Sequence, residues 1–242
     1  MTFNLSIPAQ LSGALLPDLL MMVGAMLLLL WAAWRHESER HQRNVGFLSI
    51  ALCLAAVATI AIYGARRYTA TDGVIAVDSF RWAADLVVLI ATIGCIALSI
   101  EYNKRERIIA AESHVLILLA TSGMMILAAA RDLMIVFLGI EMMSIAVYIL
   151  AGMNRRSPRA AEAALKYFLL GAFSTAFLLY GIALVYGATG STHFSIIARS
   201  AAAHNLNSSP MLLVGIGLLL NIQRRSVIAP SSRLPAERVL VR

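Results

Sequence analysis

Seven stretches of almost uncharged, apolar sequence divide this chain, and their lengths constrain the fold more than any other feature. A helix rises 1.5 Å per residue, so about 20 apolar residues carry it across the hydrocarbon core of a bilayer. The stretches cover residues 15–34, 45–65, 82–100, 113–130, 133–154, 160–187 and a short seventh, 210–222. Composition agrees, because 60% of the residues are hydrophobic, 14% are charged and the mean hydropathy is +0.79. A soluble domain normally carries about 25% charged residues. The expected fold class is therefore all-α, a polytopic membrane helix bundle of about seven transmembrane helices. No positive n-region precedes the first stretch and no small-residue cleavage site follows it, so it is read as a retained span.

The net charge of +7 does not point to nucleic acid, since the basic residues form short clusters between apolar stretches and no continuous basic face. Cys53 and Cys95 lie in different stretches with no CxxC spacing, which argues against a disulfide framework or a cysteine-built metal or iron-sulfur site. The five histidines, His36, His41, His114, His193 and His204, fall in loops or at segment ends without the spacing of metal or haem ligands. No cofactor is expected in this chain.

The distribution of Lys and Arg sets an orientation. Alternate loops are rich and poor in these residues, and the count is fourteen on one side against five on the other, with Arg81 placed at the edge of the third span on the poorer side. The expected location is the cell inner membrane, multi-pass, with the amino terminus outside (periplasmic). The loop containing Glu101, Lys104, Arg105, Glu106, Arg107 and Glu112 reads as a solvated junction. Trp31, Trp34, Tyr63, Tyr68, Trp82 and Tyr102 fit an interfacial aromatic belt.

Glu141 is the most informative residue, the one charged side chain in LMIVFLGIEMMSIAVYILAGM. Eight residues from the start of its helix it lies roughly 12 Å deep, near the midplane, where an acid costs about 2.5–3.5 kcal/mol on insertion scales. A lipid-facing position is therefore unfavourable. Ser144 and Tyr148 follow at i+3 and i+7, so Glu141 heads a polar stripe that should face other helices or water. A carboxyl that only hydrogen-bonds a neighbouring helix is the structural alternative. A carboxyl with a movable cationic partner can instead load and release a proton.

Lys166 is one of two lysines in the chain and follows Glu162 at i+4. Unlike Arg, Lys can lose its proton when buried, which suits a relay; the alternative is snorkelling or pairing with Glu162. Asp18 and Asp85 are read as boundary residues near segment ends, where an acid reaches water. Arg131 and Asp132 form a tight turn and a helix start. Gly171, Ser174, Thr175 and Gly181 in the sixth stretch, with Gly215 and Gly217 in the seventh, would permit close helix approach.

The words RDLMIVFLGIEMMSIAVYILAGM and SPRAAEAALKYFLLGAFSTAFLLYGIALVYGATGSTHF closely resemble subunit N of the respiratory proton-pumping NADH:quinone oxidoreductase, complex I. The likeness extends more weakly over about residues 15–220. It implies an antiporter-like fold of three accessory helices followed by five-helix repeats of inverted topology. Residues 1–104 would be the accessory helices, 105–222 the start of the first repeat and 223–242 an aberrant basic tail. Glu141 then matches the family's fifth-helix glutamate and Lys166 its sixth-helix lysine, both on the proton path.

By the same resemblance the chain corresponds to the amino-terminal half only, with an incomplete inverted repeat. It lacks the seventh-helix lysine that would pair with Glu141. The tail NIQRRSVIAPSSRLPAERVLVR turns abruptly to Arg, Pro and Ser, as a frameshift would leave it. The implied function is that of a membrane-arm subunit in proton translocation coupled to quinone reduction, with no redox active site in this chain. NADH, flavin, iron-sulfur clusters and quinone would be handled by partner subunits, and the other membrane-arm subunits would be its partners. A multisubunit cation/proton antiporter subunit and a non-catalytic membrane scaffold are the alternatives.

Overall fold

The computed structural model of the chain describes residues 15–34, 38–65, 74–105, 108, 110–154, 156–203 and 210–227, with the backbone alone at 63–65, 203 and 220–227. Among these described residues eight helices follow in order: α1 Leu16–Trp34, α2 Glu39–Ala65, α3 Ser79–Arg105, α4 Glu112–Ala128, α5 Leu133–Ala151, α6 Pro158–Thr189, α7 Phe194–Ala203 and α8 Pro210–Val227. Five of these, α1, α2, α3, α5 and α6, are long and apolar enough to cross a membrane. Two shorter apolar helices, α4 and the Pro210–Leu219 part of α8, complete the seven expected segments.

The short α4 is the centre of the bundle and packs against α1, α2, α3 and α5. Ten of its 17 residues are buried, including Ser113, His114, Thr121 and Ser122. Protein rather than lipid surrounds it, which lets a short helix carry polar side chains. Thr92 of α3 and Thr121 of α4 share a hydrogen bond of 2.7 Å within this packing. The core around α4 joins Met21, Val45, Leu89, Ile96, Leu118 and Met125. A second core gathers Leu133, Leu178, Ile182, Val185 and Leu212 from α5, α6 and α8.

Lipid tails give helices no hydrophobic reason to associate, so close backbone contact carries much of the packing. It occurs twice. A Cβ added at Gly123 of α4 would stand 2.9 Å from the Gly139 carbonyl of α5, and one at Gly139 would stand 3.0 Å from the Gly123 carbonyl. Gly181 of α6 and Gly215 of α8 approach in the same reciprocal way, at 3.2 and 3.1 Å. Gly217 has nothing within 4 Å and plays no such part.

At one end of the bundle the connecting segments are laced together. Ala76 N–H donates to Ala129 O at 2.7 Å, and Arg131 N–H to Val74 O at 3.0 Å. Leu133 N–H donates to Thr192 O and Phe194 N–H to Arg131 O, both at 3.0 Å. Helix starts follow their capping residues: Ser157 caps α6 with Pro158 in its first turn, where a missing N–H costs nothing. Gly190 ends α6 at φ 71°, a left-handed conformation in which other residues are strained.

Three sequence expectations need correction. The third span begins at Ser79, so Arg81 lies inside α3 and is fully buried, not placed at a solvated edge. Asp18 and Asp85 do not reach water: they are 4% and 0% exposed. Trp82 is also buried, with the Arg81 guanidinium carbon 5.2 Å from its ring centroid, and takes no part in an interfacial belt. Trp34 and Tyr102, by contrast, are exposed as expected. The ten-residue α7 was not foreseen. The last helix continues through Val227, into the segment assigned to the tail, while 228–242, Tyr68, His36, His204, Glu106 and Arg107 lie outside the described residues.

Candidate functional site

The first candidate is built on α5. Asp132 stands at the N-cap of this helix, its Oδ1 accepting from Met134 N–H at 2.8 Å and its Oδ2 from the Thr192 hydroxyl at 2.7 Å. The cap fixes where the helix begins and thereby the depth of Glu141. Glu141, Ser144 and Tyr148 are all half-buried, as the polar stripe requires. Oε1 of Glu141 is buried and has no hydrogen-bond partner among the described residues. Such an atom costs free energy unless water, a proton or another group satisfies it.

Lys166 stands elsewhere. Its ammonium pairs with Glu162 one turn earlier on α6, and the two side chains are 69% and 63% exposed. The pairing foreseen as the alternative for Lys166 is thus the one present. Contacts between α5 and α6 set the register. Tyr148 meets Phe168 edge-to-face with centroids 6.2 Å apart, and its hydroxyl fills the space beside Gly171. A Cβ on Gly152 would come 3.0 Å from that of Ala164. The helices are antiparallel, so Glu141 stands level with Thr175 to Leu178 and Lys166 level with about residue 150. About nine positions separate them, roughly 13 Å along the axis. The two do not form a direct pair, and Tyr148 lies between their levels.

A second polar cluster, which the sequence reading missed, joins α1 to α3. Arg81 Nη2 donates to Asp18 Oδ2, Nη1 donates to Ala76 O at 3.1 Å, and Nε lies 3.5 Å from Asp85 Oδ2. Asp78 caps α3, its Oδ1 accepting from Arg81 N–H at 2.8 Å. The available signal was the i, i+4 spacing of Arg81 and Asp85. At the opposite end Asn103 donates to the Ser113 hydroxyl at 3.0 Å. His41 and His114 are buried there, and His41 packs edge-on against Trp31 with centroids 4.6 Å apart. No group of three His, Cys, Asp or Glu side chains suited to a metal ion occurs among the described residues.

Comparison with known proteins places this arrangement. The family described as NADH:quinone oxidoreductase/Mrp antiporter, transmembrane region, matches residues 130–231. NADH-quinone oxidoreductase subunit N of Gemmatimonas aurantiaca is 47% identical over 216 residues, which is 86% of this chain and 41% of that protein. Subunit N of Paramagnetospirillum magneticum is 38% identical over 205 residues, 84% of this chain and 42% of that protein. Among solved structures, a chain of respiratory complex I from Thermus thermophilus with bound aureothin superposes with a TM-score of 0.69 at 29% identity, covering 88% of this chain and 44% of that one. A chain of the membrane-bound sulfane sulfur reductase, an archaeal respiratory membrane complex, has the same fold, with a TM-score of 0.69 at 22% identity. The chain spans about two fifths of the length of the curated relatives it matches. In its multi-pass, antiporter-like helix bundle, and in sequence over most of its own length, the chain is similar to NADH-quinone oxidoreductase subunit N.

Proposed function

We propose that this chain acts within the membrane arm of an NADH:quinone oxidoreductase, in proton translocation coupled to quinone reduction, and that Glu141 and Lys166 lie on the proton path. The supporting observation is the carboxyl of Glu141: it heads a polar stripe on an apolar helix and keeps one buried oxygen without a partner among the described residues. In the proposed mechanism a change of charge nearby alters the proton affinity of Glu141 and then of Lys166. The 13 Å offset between their levels calls for water and hydroxyls as the relay, and Ser144, Tyr148 and Thr175 supply hydroxyls on the two facing helices.

The partners in this reading are the other membrane-arm subunits, which would cover the exposed side of α6 around Lys166. NADH, flavin, iron-sulfur clusters and quinone are assigned to partner subunits. Residues 1–104 act as accessory helices and 105–222 open the first repeat. The location is the inner membrane with the amino terminus periplasmic. Burial of Arg81 supports that orientation, because it removes one cation from the side already poorer in them. A subunit of a cation/proton antiporter is the second reading, favoured by the description of the matching family.

The test is Glu141→Gln in a complete subunit assembled into its complex. Assembly is expected to survive while NADH-driven proton pumping falls; unchanged pumping would refute the role of Glu141. Sodium-driven activity without NADH oxidation would favour the antiporter reading.

A further inference from the structure

The cluster of Asp18, Arg81 and Asp85 has an unbalanced charge. A guanidinium stays protonated in proteins, so it offsets one carboxylate and no more. Two carboxyls are present, and both residues are buried together with Arg81 inside the bundle. If both were ionised the cluster would hold a net negative charge away from water, which a low-dielectric interior resists strongly.

The hydrogen bonds distinguish the two acids. Asp18 accepts directly from Arg81 Nη2, a charge-assisted bond that suits a carboxylate. Asp85 has no such bond: its Oδ2 lies 3.5 Å from Nε, and neither of its oxygens has a hydrogen-bond partner among the described residues. A fully buried carboxylate with no donor is the costly case; a neutral carboxyl beside a second acid is not. Residues 54–62 of α2 and 115–128 of α4 contain no ionisable side chain; Asp78, which caps α3 through Arg81 N–H, adds another acid, and the one base on the adjoining α4–α5 turn is Arg131, whose N–H donates to Val74 O.

We propose that the Asp18–Arg81–Asp85 cluster is a cation-binding site in the accessory helices whose occupant is a proton carried on Asp85. Binding converts the Asp85 carboxylate to a carboxyl, takes the cluster from one net negative charge to zero, and breaks no other bond. The site is separate from the Glu141 stripe and does not depend on the role proposed for it. Arg81 also bonds Ala76 O, and Ala76 N–H bonds Ala129 O beside the α4–α5 turn. The proton therefore sits at the junction of the accessory helices with the helix that carries Glu141.

Infrared difference spectroscopy on the 242-residue chain in nanodiscs tests this. Asp85→Asn is expected to remove the carbonyl band of one protonated carboxyl per chain. Asp18→Asn is expected to remove it too, because the remaining carboxylate then balances Arg81 without a proton, while Glu141→Gln leaves that band in place. Persistence of the band in both Asp variants overturns the proposal. So does a thermal midpoint that rises with sodium at fixed pH in the unsubstituted chain but not in Asp85→Asn, since sodium would then be the occupant. If Asp85→Asn does not fold, Asp18→Asn decides by the same band.

Discussion

Arg81 and Asp18 stand 63 positions apart in the sequence and form an ion pair inside the bundle, tying α3 to α1. Removing the cation while leaving both acids is the most damaging change available at this cluster. Arg81→Met is expected to destabilise the fold by about 3–5 kcal/mol, the usual cost of breaking a buried pair from one side. Thermal unfolding in mild detergent reads it. Adding Asp18→Asn and Asp85→Asn to Arg81→Met should recover most of the loss, because no buried charge then remains.

The close crossing of α4 and α5 gives a second expectation. Gly123→Ala and Gly139→Ala each drive a methyl into backbone atoms about 3 Å away, and neither neighbour can swing aside as a side chain would. A loss of about 1–3 kcal/mol is expected for each. Gly94 on α3 has nothing within 4 Å, so Gly94→Ala serves as the control and should leave the thermal midpoint unchanged or raise it.

Asp132 holds two elements with one carboxylate, the first turn of α5 and the segment before α7. Asp132→Ala is expected to cost about 1–2 kcal/mol, since it removes the helix cap and leaves the Thr192 hydroxyl without its acceptor. Combining it with Thr192→Val in a double-mutant cycle isolates the tertiary part, which should be the smaller of the two.

For Lys166 the expectation separates stability from function. Its pair with Glu162 is exposed on both sides, and such pairs contribute little. Neither Lys166→Met nor Glu162→Gln should therefore move the thermal midpoint of this chain. In a complete, assembled subunit Lys166→Met is expected to lower NADH-driven pumping and Glu162→Gln to leave it nearly intact. Normal pumping by the assembled Lys166→Met variant would remove Lys166 from the proton path.

Long uncharged runs and the helix start at Asp132 are local properties, and both were legible in the sequence. The partners of Asp18 and Asp85 were not. Both sit near the ends of apolar runs, and position along a run does not reveal which face another helix covers. Only the proximity of α1 to α3 brings a third residue, Arg81, between them. α7 escaped for a different reason: Phe194–Ala203 is a ten-residue amphipathic helix, and a search for long charge-free runs passes over it. Its apolar residues at 194, 197 and 201 carry the helical spacing that would have found it. For Lys166 the sequence offered both a buried relay and an exposed pair with Glu162, and only what stands beside α6 decides between them.

The lacing around residues 74–76, 129–133 and 192–194 gives α5 one anchored end. Its other end finishes at Gly152, bonded only within its own last turn. Side-chain packing alone holds that end, through Ala146, Leu150 and Met153 against Leu116 and Ala120 of α4. Along the axis Glu141 is roughly 13 Å from the Asp132 cap and Tyr148 roughly 24 Å, so any tilt of about 10° about that cap would displace them by about 2 Å and about 4 Å respectively. The hydroxyl of Tyr148, beside Gly171 on α6, would then travel about twice as far as the carboxyl of Glu141, so the α5–α6 contact at Gly171 is the one most sensitive to the angle of α5.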